Sequence, residues 1–271
     1  MLRWACATGA LWAWVFSAQA QAAWLQTKGE GLIISSLTSY HSDARFDSFG
    51  LRSDGRDYDK QELSVYGVYG LTERLTLGAQ PSFFRLRTTS ANRGGHEGMR
   101  GLSQVDLFVR TSLVAADYWI LSGQALLKLP GPRAVDREPL LENASRDAEV
   151  RLLLGRSGRL ARQFLNLEYF SSIEAGYRAR YRGAADQWRA DAAFGVRPRQ
   201  NYQIIVQSFN ILSSRSPDDS DPTAYDLFKA QVSVVRDLPH GFAVQAGGYT
   251  EYAGRNIGAG DALFMAIWYR F

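Results

Sequence analysis

The chain has 271 residues but only one cysteine, Cys6, and three histidines. A single thiol closes no intrachain disulfide and builds no cysteine-based metal site, so neither kind of staple defines the fold. Charge of one sign never gathers. The 31 Lys and Arg are interspersed with 27 Asp and Glu, without a run of five like charges, so the net charge of +4 makes no basic patch for nucleic acid. After the N-terminal stretch there is no run of roughly 18 apolar residues, which excludes a helical membrane span there. Low-complexity tracts are missing too. With 46% apolar residues the chain has enough surface to bury against the entropy of folding.

What is present begins with an address. Arg3 is followed by an uncharged apolar run from Trp4 to Phe16 and by two overlapping small-x-small signals, Ala18-Gln19-Ala20 and Ala20-Gln21-Ala22. The run is short for a membrane anchor, and the pattern is that of a secretory signal peptide. The expected division is a signal peptide over 1–20 and one domain over 21–271.

The remainder alternates with period 2, the signature of half-buried strands. Leu63, Val65, Tyr69 and Leu71 oppose Glu62 and Ser64; Val105, Leu107, Val109 and Leu113 oppose Gln104, Asp106, Arg110 and Ser112. Leu167, Tyr169, Ile173 and Tyr177 oppose Glu168, Glu174 and Arg178, and Trp188, Ala190, Ala192, Phe194 and Val196 oppose Arg189, Asp191 and Arg197. Twelve strands are expected, at 29–40, 58–71, 75–87, 101–115, 118–129, 147–156, 164–181, 187–197, 202–213, 225–237, 242–253 and 259–271. Long connections (41–57, 88–100, 130–146) alternate with tight ones (72–74, 116–117), and further turns fall at 198–201 and 238–241.

A soluble β-sandwich also alternates, but its strands are shorter and rarely stack several charges on one face. The pattern therefore predicts an all-β fold, a single antiparallel outer-membrane β-barrel of about 12 strands with a polar lumen. Tyr40, Tyr58, Tyr118, Trp119, Tyr181, Trp188, Tyr202 and Tyr225 lie near strand ends, where interfacial aromatic girdles form. Leu263, Met265, Ile267, Tyr269 and Phe271 form an alternating apolar series that ends on an aromatic residue. That series resembles the C-terminal signal read by the barrel-assembly machinery of Gram-negative bacteria, which implies an outer-membrane location in contact with lipid and lipopolysaccharide.

Reactive chemistry is sparse. His41, His96 and His240 all fall in predicted loops or turns, whereas a membrane-embedded lipase needs a strand histidine beside a serine, so no catalytic residues are assigned. His96-Glu97 has Arg100 where a zinc H-E-x-x-H motif needs its second histidine. The clusters Asp54, Asp57, Asp59 and Asp218, Asp219, Asp221 lack EF-hand spacing and read as solvated loops. Neither metal nor cofactor is expected.

The inward face is expected to carry Glu62, Asp106, Arg110, Lys128, Glu149, Arg151, Glu168, Glu174, Arg178, Arg180, Arg189, Asp191, Arg197, Lys229, Gln231 and Glu251. Two readings follow. Either facing strands neutralise one another and plug the barrel, or Arg178 through Arg197 line one wall of a hydrated pore that favours anionic or polar solutes.

Lys28-Gly29-Glu30-Gly31, the run from Tyr66 to Gly78 (YGVYGLTERLTLG), Gln207-Ser208-Phe209-Asn210 and Ala253-Gly254-Arg255-Asn256 together resemble the XagA-type outer-membrane proteins. The YGLT-type run is also similar to barrels linked to aromatic-degradation pathways. The XagA resemblance implies a barrel associated with exopolysaccharide production and biofilm formation, partnered by exopolysaccharide synthesis or export proteins. The function expected from all of this is a pore or export component for polar solutes, exopolysaccharide included. A channel for small hydrophobic compounds and a non-conducting structural or adhesion barrel are the alternatives.

Overall fold

The computed structural model describes residues 23–89, 96–131, 146–162, 165–181, 183–217, 221 and 223–271. The expected signal peptide, with Cys6, lies outside the described residues, as do Asp218 and Asp219.

Twelve strands form the wall: β1 (Gly31–Phe46), β2 (Arg52–Thr72), β3 (Leu75–Thr89), β4 (His96–Ala115), β5 (Trp119–Pro130), β6 (Asp147–Arg162), β7 (Leu165–Arg180), β8 (Gln187–Arg199), β9 (Tyr202–Ser213), β10 (Asp226–Asp237), β11 (Phe242–Arg255) and β12 (Ile257–Arg270). Each pairs antiparallel with its sequence neighbours, and β12 returns to β1 to close the barrel. Closure is completed at one rim by reciprocal bonds. The Gly31 amide donates to the Phe271 carbonyl at 2.8 Å and the Phe271 amide to Gly31 at 3.0 Å. A closed ring leaves no strand edge unsatisfied, which is what lets a sheet sit in hydrocarbon.

Alternation sorts the faces as the pattern requires. Along β12, Ala262, Phe264, Ala266 and Trp268 are buried inward, while Leu263, Met265 and Ile267 are 74%, 70% and 58% exposed on the outside. Tyr69, Leu71, Leu77, Phe83, Leu107, Leu152, Ile173, Val206 and Val232 continue this apolar outer belt around the wall. Of the expected girdle aromatics, Tyr118, Trp119, Tyr181, Trp188 and Tyr202 are on the outside. Tyr40, Tyr58 and Tyr225 are not. Tyr40 and Tyr58 meet edge to face with centroids 5.9 Å apart on the inner side, and Tyr225 is buried. A tyrosine near a strand end joins the girdle only if its parity points outward.

Strand ends are the main correction. β1 and β2 stay paired beyond the apolar alternation, through His41↔Asp59 and, past a bulge, Ala44↔Asp54, leaving only 47–51 as a loop. Backbone ladder bonds need no apolar side chain once the hairpin stands above the lipid. His41 therefore belongs to β1, Asp54, Asp57 and Asp59 belong to β2, and His96 opens β4, none of them in a loop. His240 does lie in a turn, where it and Gly241 both take positive φ (60° and 79°), the geometry of a tight two-residue hairpin.

Two glycines of the wall make room for phenylalanine rings on neighbouring strands. A Cβ on Gly195 would overlap the ring of Phe170 on β7, and one on Gly78 would overlap Phe108 on β4. Gly195→Ala is therefore expected to cost about 1–3 kcal/mol by overpacking, read as a lower urea midpoint for the refolded barrel. An unchanged midpoint would mean that Phe170 does not occupy that position.

Candidate channel lumen

The inward side chains divide into two layers. Toward the turn end, where β1 begins and β12 ends, Leu32, Ile34, Tyr66, Val68, Phe108, Phe170, Ala193, Ile205, Val235, Ala243, Ala266 and Trp268 form one contiguous buried cluster, with Leu126 packed against it. The Arg110 and Arg270 guanidiniums lie over its Phe108 and Trp268 rings at 5.5 and 5.6 Å, and the neutral polar residues beside it are mutually bonded. Trp268 Nε1 donates to Gln245 at 3.1 Å, Gln245 to Ser233 at 2.9 Å and Gln231 to Gln207 at 2.9 Å.

The segment before β1 runs into this layer. Trp24 packs on the apolar cluster, and Gly155 supplies the room, since a Cβ there would stand 2.6 Å from the indole. The Ala23 carbonyl accepts from Ser122 Oγ at 2.6 Å, the Trp24 carbonyl from Arg110 at 3.3 Å, and the Gln26 amide donates to Thr76 Oγ1 at 3.0 Å. Only at Lys28 to Glu30, which pair with Gly70 of β2, does the segment join the wall.

Toward the opposite, loop end, β4 to β8 carry a charged layer centred on β6. Glu149 accepts from Arg178 Nε at 2.6 Å and from Arg151 Nε at 2.7 Å. Arg151 Nη1 also reaches Glu174 at 2.7 Å and Asp191 at 2.6 Å. Lys128 pairs with Asp147 at 2.8 Å, and Arg178 and Arg180 flank the same carboxylate at 3.7 and 3.8 Å. Arg189 Nε stands 3.7 Å from Glu149. Side-chain exposure is 0% for Glu149 and 8% for Arg178, and the arginines of this layer interlock with its carboxylates. Arg110 forks onto Gln124 at 2.7 and 3.1 Å, and Asp106 accepts from Gln104 at 3.1 Å.

Asp106, Lys128, Glu174, Arg178, Arg180, Arg189 and Asp191 thus share one layer with Glu149 and Arg151. The other expected lumen residues stand apart. Arg197 binds Asp237 at 2.7 Å at the turn-end rim, Glu168 accepts from Arg159 at 2.8 Å, and Glu62 pairs with Lys60 at 2.5 Å. Lys229 sits over the rings of Tyr249 and Phe209 at 4.5 and 4.9 Å, and Glu251 accepts from Tyr40 at 2.7 Å. Asp147, the layer's second carboxylate on β6, is an addition; its position two residues before Glu149 was the signal for it. Residues 23–26 gave no signal, because a segment bonded to wall side chains has no strand period.

Above the charged layer, the β7–β8 and β9–β10 connections are tied together. Arg215 donates to the Gly183 carbonyl at 2.7 Å, Ala185 to Thr223 Oγ1 at 3.0 Å, and Thr223 to Asp221 through its hydroxyl at 2.6 Å and its amide at 3.0 Å. These Thr223 bonds hold the Asp221 carboxyl below its ordinary pKa. A depressed carboxyl stabilises the folded form above its unfolded pKa and loses that contribution as pH falls through the lower, folded value. Amide exchange at Thr223 and Ala224 should therefore stay slow at neutral and mildly acidic pH and accelerate only below the ordinary aspartate range. Acceleration near neutrality would contradict this.

His41 Nδ1 lies 2.8 Å from Asp59 on the outer surface, and burial is absent there.

No family model matches the chain, and comparison with curated proteins finds no relative. Solved structures do share its shape. The COG4313 outer membrane channel from Pseudomonas putida F1 superposes with a TM-score of 0.67 at 14% identity, over 93% of this chain and 98% of that one. LpxR from Salmonella typhimurium follows at 0.51 and 11% identity, over 88% and 99%, and the NanC porin at 0.50 and 7%, over 86% and 98%. The chain thus has the fold of a closed, 12-stranded outer-membrane β-barrel.

Proposed function

We propose that the protein is an outer-membrane channel that rests closed and opens when residues 23–27 leave the lumen, passing small solutes with substantial apolar surface. One observation carries this reading: the inserted segment is held by a few side-chain hydrogen bonds and the packing of Trp24, not by a strand ladder. The apolar cluster beneath the charged layer supports an apolar cargo, and the internal pairing of Arg178 and Arg189 removes the positive wall an anion-selective pore would use. Polar solutes are the second reading, favoured by the Gln207, Gln231 and Gln245 wall. Proteoliposomes holding the barrel separate the two. Faster entry of a small aromatic carboxylate than of a sugar of similar size supports the first, and the reverse order supports the second.

The outer apolar belt and the exposed Leu263, Met265, Ile267, Tyr269 and Phe271 support an outer-membrane location reached through the barrel-assembly machinery. In that setting the short turns and Phe271 face the periplasm, and the longer connections face outward. Deleting Phe271, whose backbone also closes the β1–β12 seam, should leave export intact but send the protein to periplasmic aggregates or degradation. A normal heat-modifiable barrel in the outer membrane after that deletion would refute the reading of the C-terminus.

A further inference from the structure

Arg110 stands where the apolar and charged layers of the lumen meet, and its charge is not balanced there. The charged layer holds as many acids (Asp106, Asp147, Glu149, Glu174, Asp191) as bases (Lys128, Arg151, Arg178, Arg180, Arg189), which leaves Arg110 over. Arg110 is 4% exposed, yet among the described residues its N–H groups reach only neutral oxygens. Gln124 Oε1 accepts at 2.7 and 3.1 Å, and the Trp24 carbonyl at 3.3 Å. The acids in its neighbourhood are engaged elsewhere: Glu174, within electrostatic reach, accepts from Arg151 at 2.7 Å, and Asp106, two residues back on β4, accepts from Gln104 at 3.1 Å. A guanidinium out of water gains more from a carboxylate than from a carbonyl. The Trp24 carbonyl therefore marks a place where a carboxylate would bind more strongly.

The indole of the same residue marks the other half of the place. A Cβ on Gly155 would meet two indole carbons at 2.6 Å and the Ala23 methyl at 2.8 Å, all of them atoms of the inserted segment. The side chain that Gly155 lacks is thus a recess filled by residues 23 and 24, from which Trp24 packs onto the apolar cluster. Departure of the segment vacates the recess and the third side of the Arg110 fork together.

We propose that Arg110, Gln124 and the Gly155 recess form a solute-binding site for a carboxylate joined by a short chain to a ring-sized apolar body, with Trp24 as its resident competitor. The solute's carboxylate replaces the Trp24 carbonyl on Arg110, and its apolar body replaces the indole beside Gly155. Gln124 holds the guanidinium in place from the β5 side, so its Nη1 keeps pointing at the vacated position. The inference rests on the departure of residues 23–27 proposed above.

Indole-3-propionate, which is Trp24 without its amino group and with a carboxylate for its carbonyl, is the probe; its amide and acetate are the controls. The refolded full chain is titrated calorimetrically in detergent as wild type, W24A, W24A/R110Q, W24A/R110K and W24A/G155V. W24A should bind the acid at least about tenfold more tightly than wild type, because a ligand that needs the segment-free form gains as that form becomes more populated. W24A/R110Q should lose at least about tenfold relative to W24A, while W24A/R110K, which keeps the charge, should retain most of the affinity. W24A/G155V fills the recess without touching the charge and should weaken binding as well. The amide should bind W24A no better than W24A/R110Q, and acetate, which lacks the body, should bind far more weakly than the acid. Wild-type affinity in W24A, equal affinity of W24A and W24A/R110Q for the acid, or equal binding of acid and amide would each overturn the site. Conductance separates this from the channel reading. If deleting residues 23–27 fails to raise conductance while the acid still binds through Arg110, the site stands and the channel reading falls; if the deletion raises conductance but R110Q costs no affinity, the site falls alone.

Discussion

Glu149→Ala is expected to destabilise the barrel by about 3–5 kcal/mol, because it removes one partner from a buried ion network and leaves the others in place. Glu149 is the only carboxylate that bonds both Arg178 and Arg151, at 2.6 and 2.7 Å, among the described residues. Without it Arg178 keeps only Asp147, at 3.7 Å, while Arg189 loses the acid 3.7 Å from its Nε. Water cannot readily repay the loss, since the Glu149 side chain is 0% exposed. Replacing Arg178, Arg180, Arg189 and Arg197 together by Gln is the mirror experiment. The buried network predicts a large fall in the unfolding midpoint, as Glu149 is left with Arg151 and Asp147 with Lys128 as their remaining close counter-charges. A hydrated wall would instead predict little loss of stability and a shift of ion selectivity toward cations. Reversal potential and thermal unfolding of the same variant decide between them.

Deleting residues 23–27 should raise single-channel conductance several-fold in planar bilayers with little effect on folding. The deletion removes Trp24 from the apolar cluster and its wall bonds to Ser122, Arg110 and Thr76, yet leaves the Lys28 bridge to Gly70 and every strand pairing intact. Conductance at the wild-type level would mean that the charged layer, and not the segment, is the barrier.

The barrel was legible because lipid outside and a packed interior inside impose opposite chemistry on successive residues, and β12 shows it most plainly: Leu263, Met265 and Ile267 outward, Phe264, Ala266 and Trp268 inward. Strand ends were less legible. Beyond the lipid both faces are wet, so polar stretches such as His41 to Phe46 and Arg52 to Asp59 pair without alternating. Parity identified the inward charges, including Lys128, Glu174 and Arg178, but could not say which lie at the same height. That depends on strand register, which sets Lys128 opposite Asp147 and Glu149 opposite Arg178. The apolar layer was hidden for a related reason: an inward Phe170 or Trp268 among outward aromatics looks like girdle until the parity of each strand is fixed.

The most direct test of a lumen closed by its own N-terminal segment is a reversible tether. Ala23→Cys and Ser122→Cys put thiols on the two residues joined by the 2.6 Å bond from the Ser122 hydroxyl to the Ala23 carbonyl; the only other cysteine, Cys6, lies in the expected signal peptide. Conductance of the oxidised double variant should be abolished and should return on adding reductant. Openings in the oxidised, tethered protein as frequent and as large as those of wild type would contradict the account.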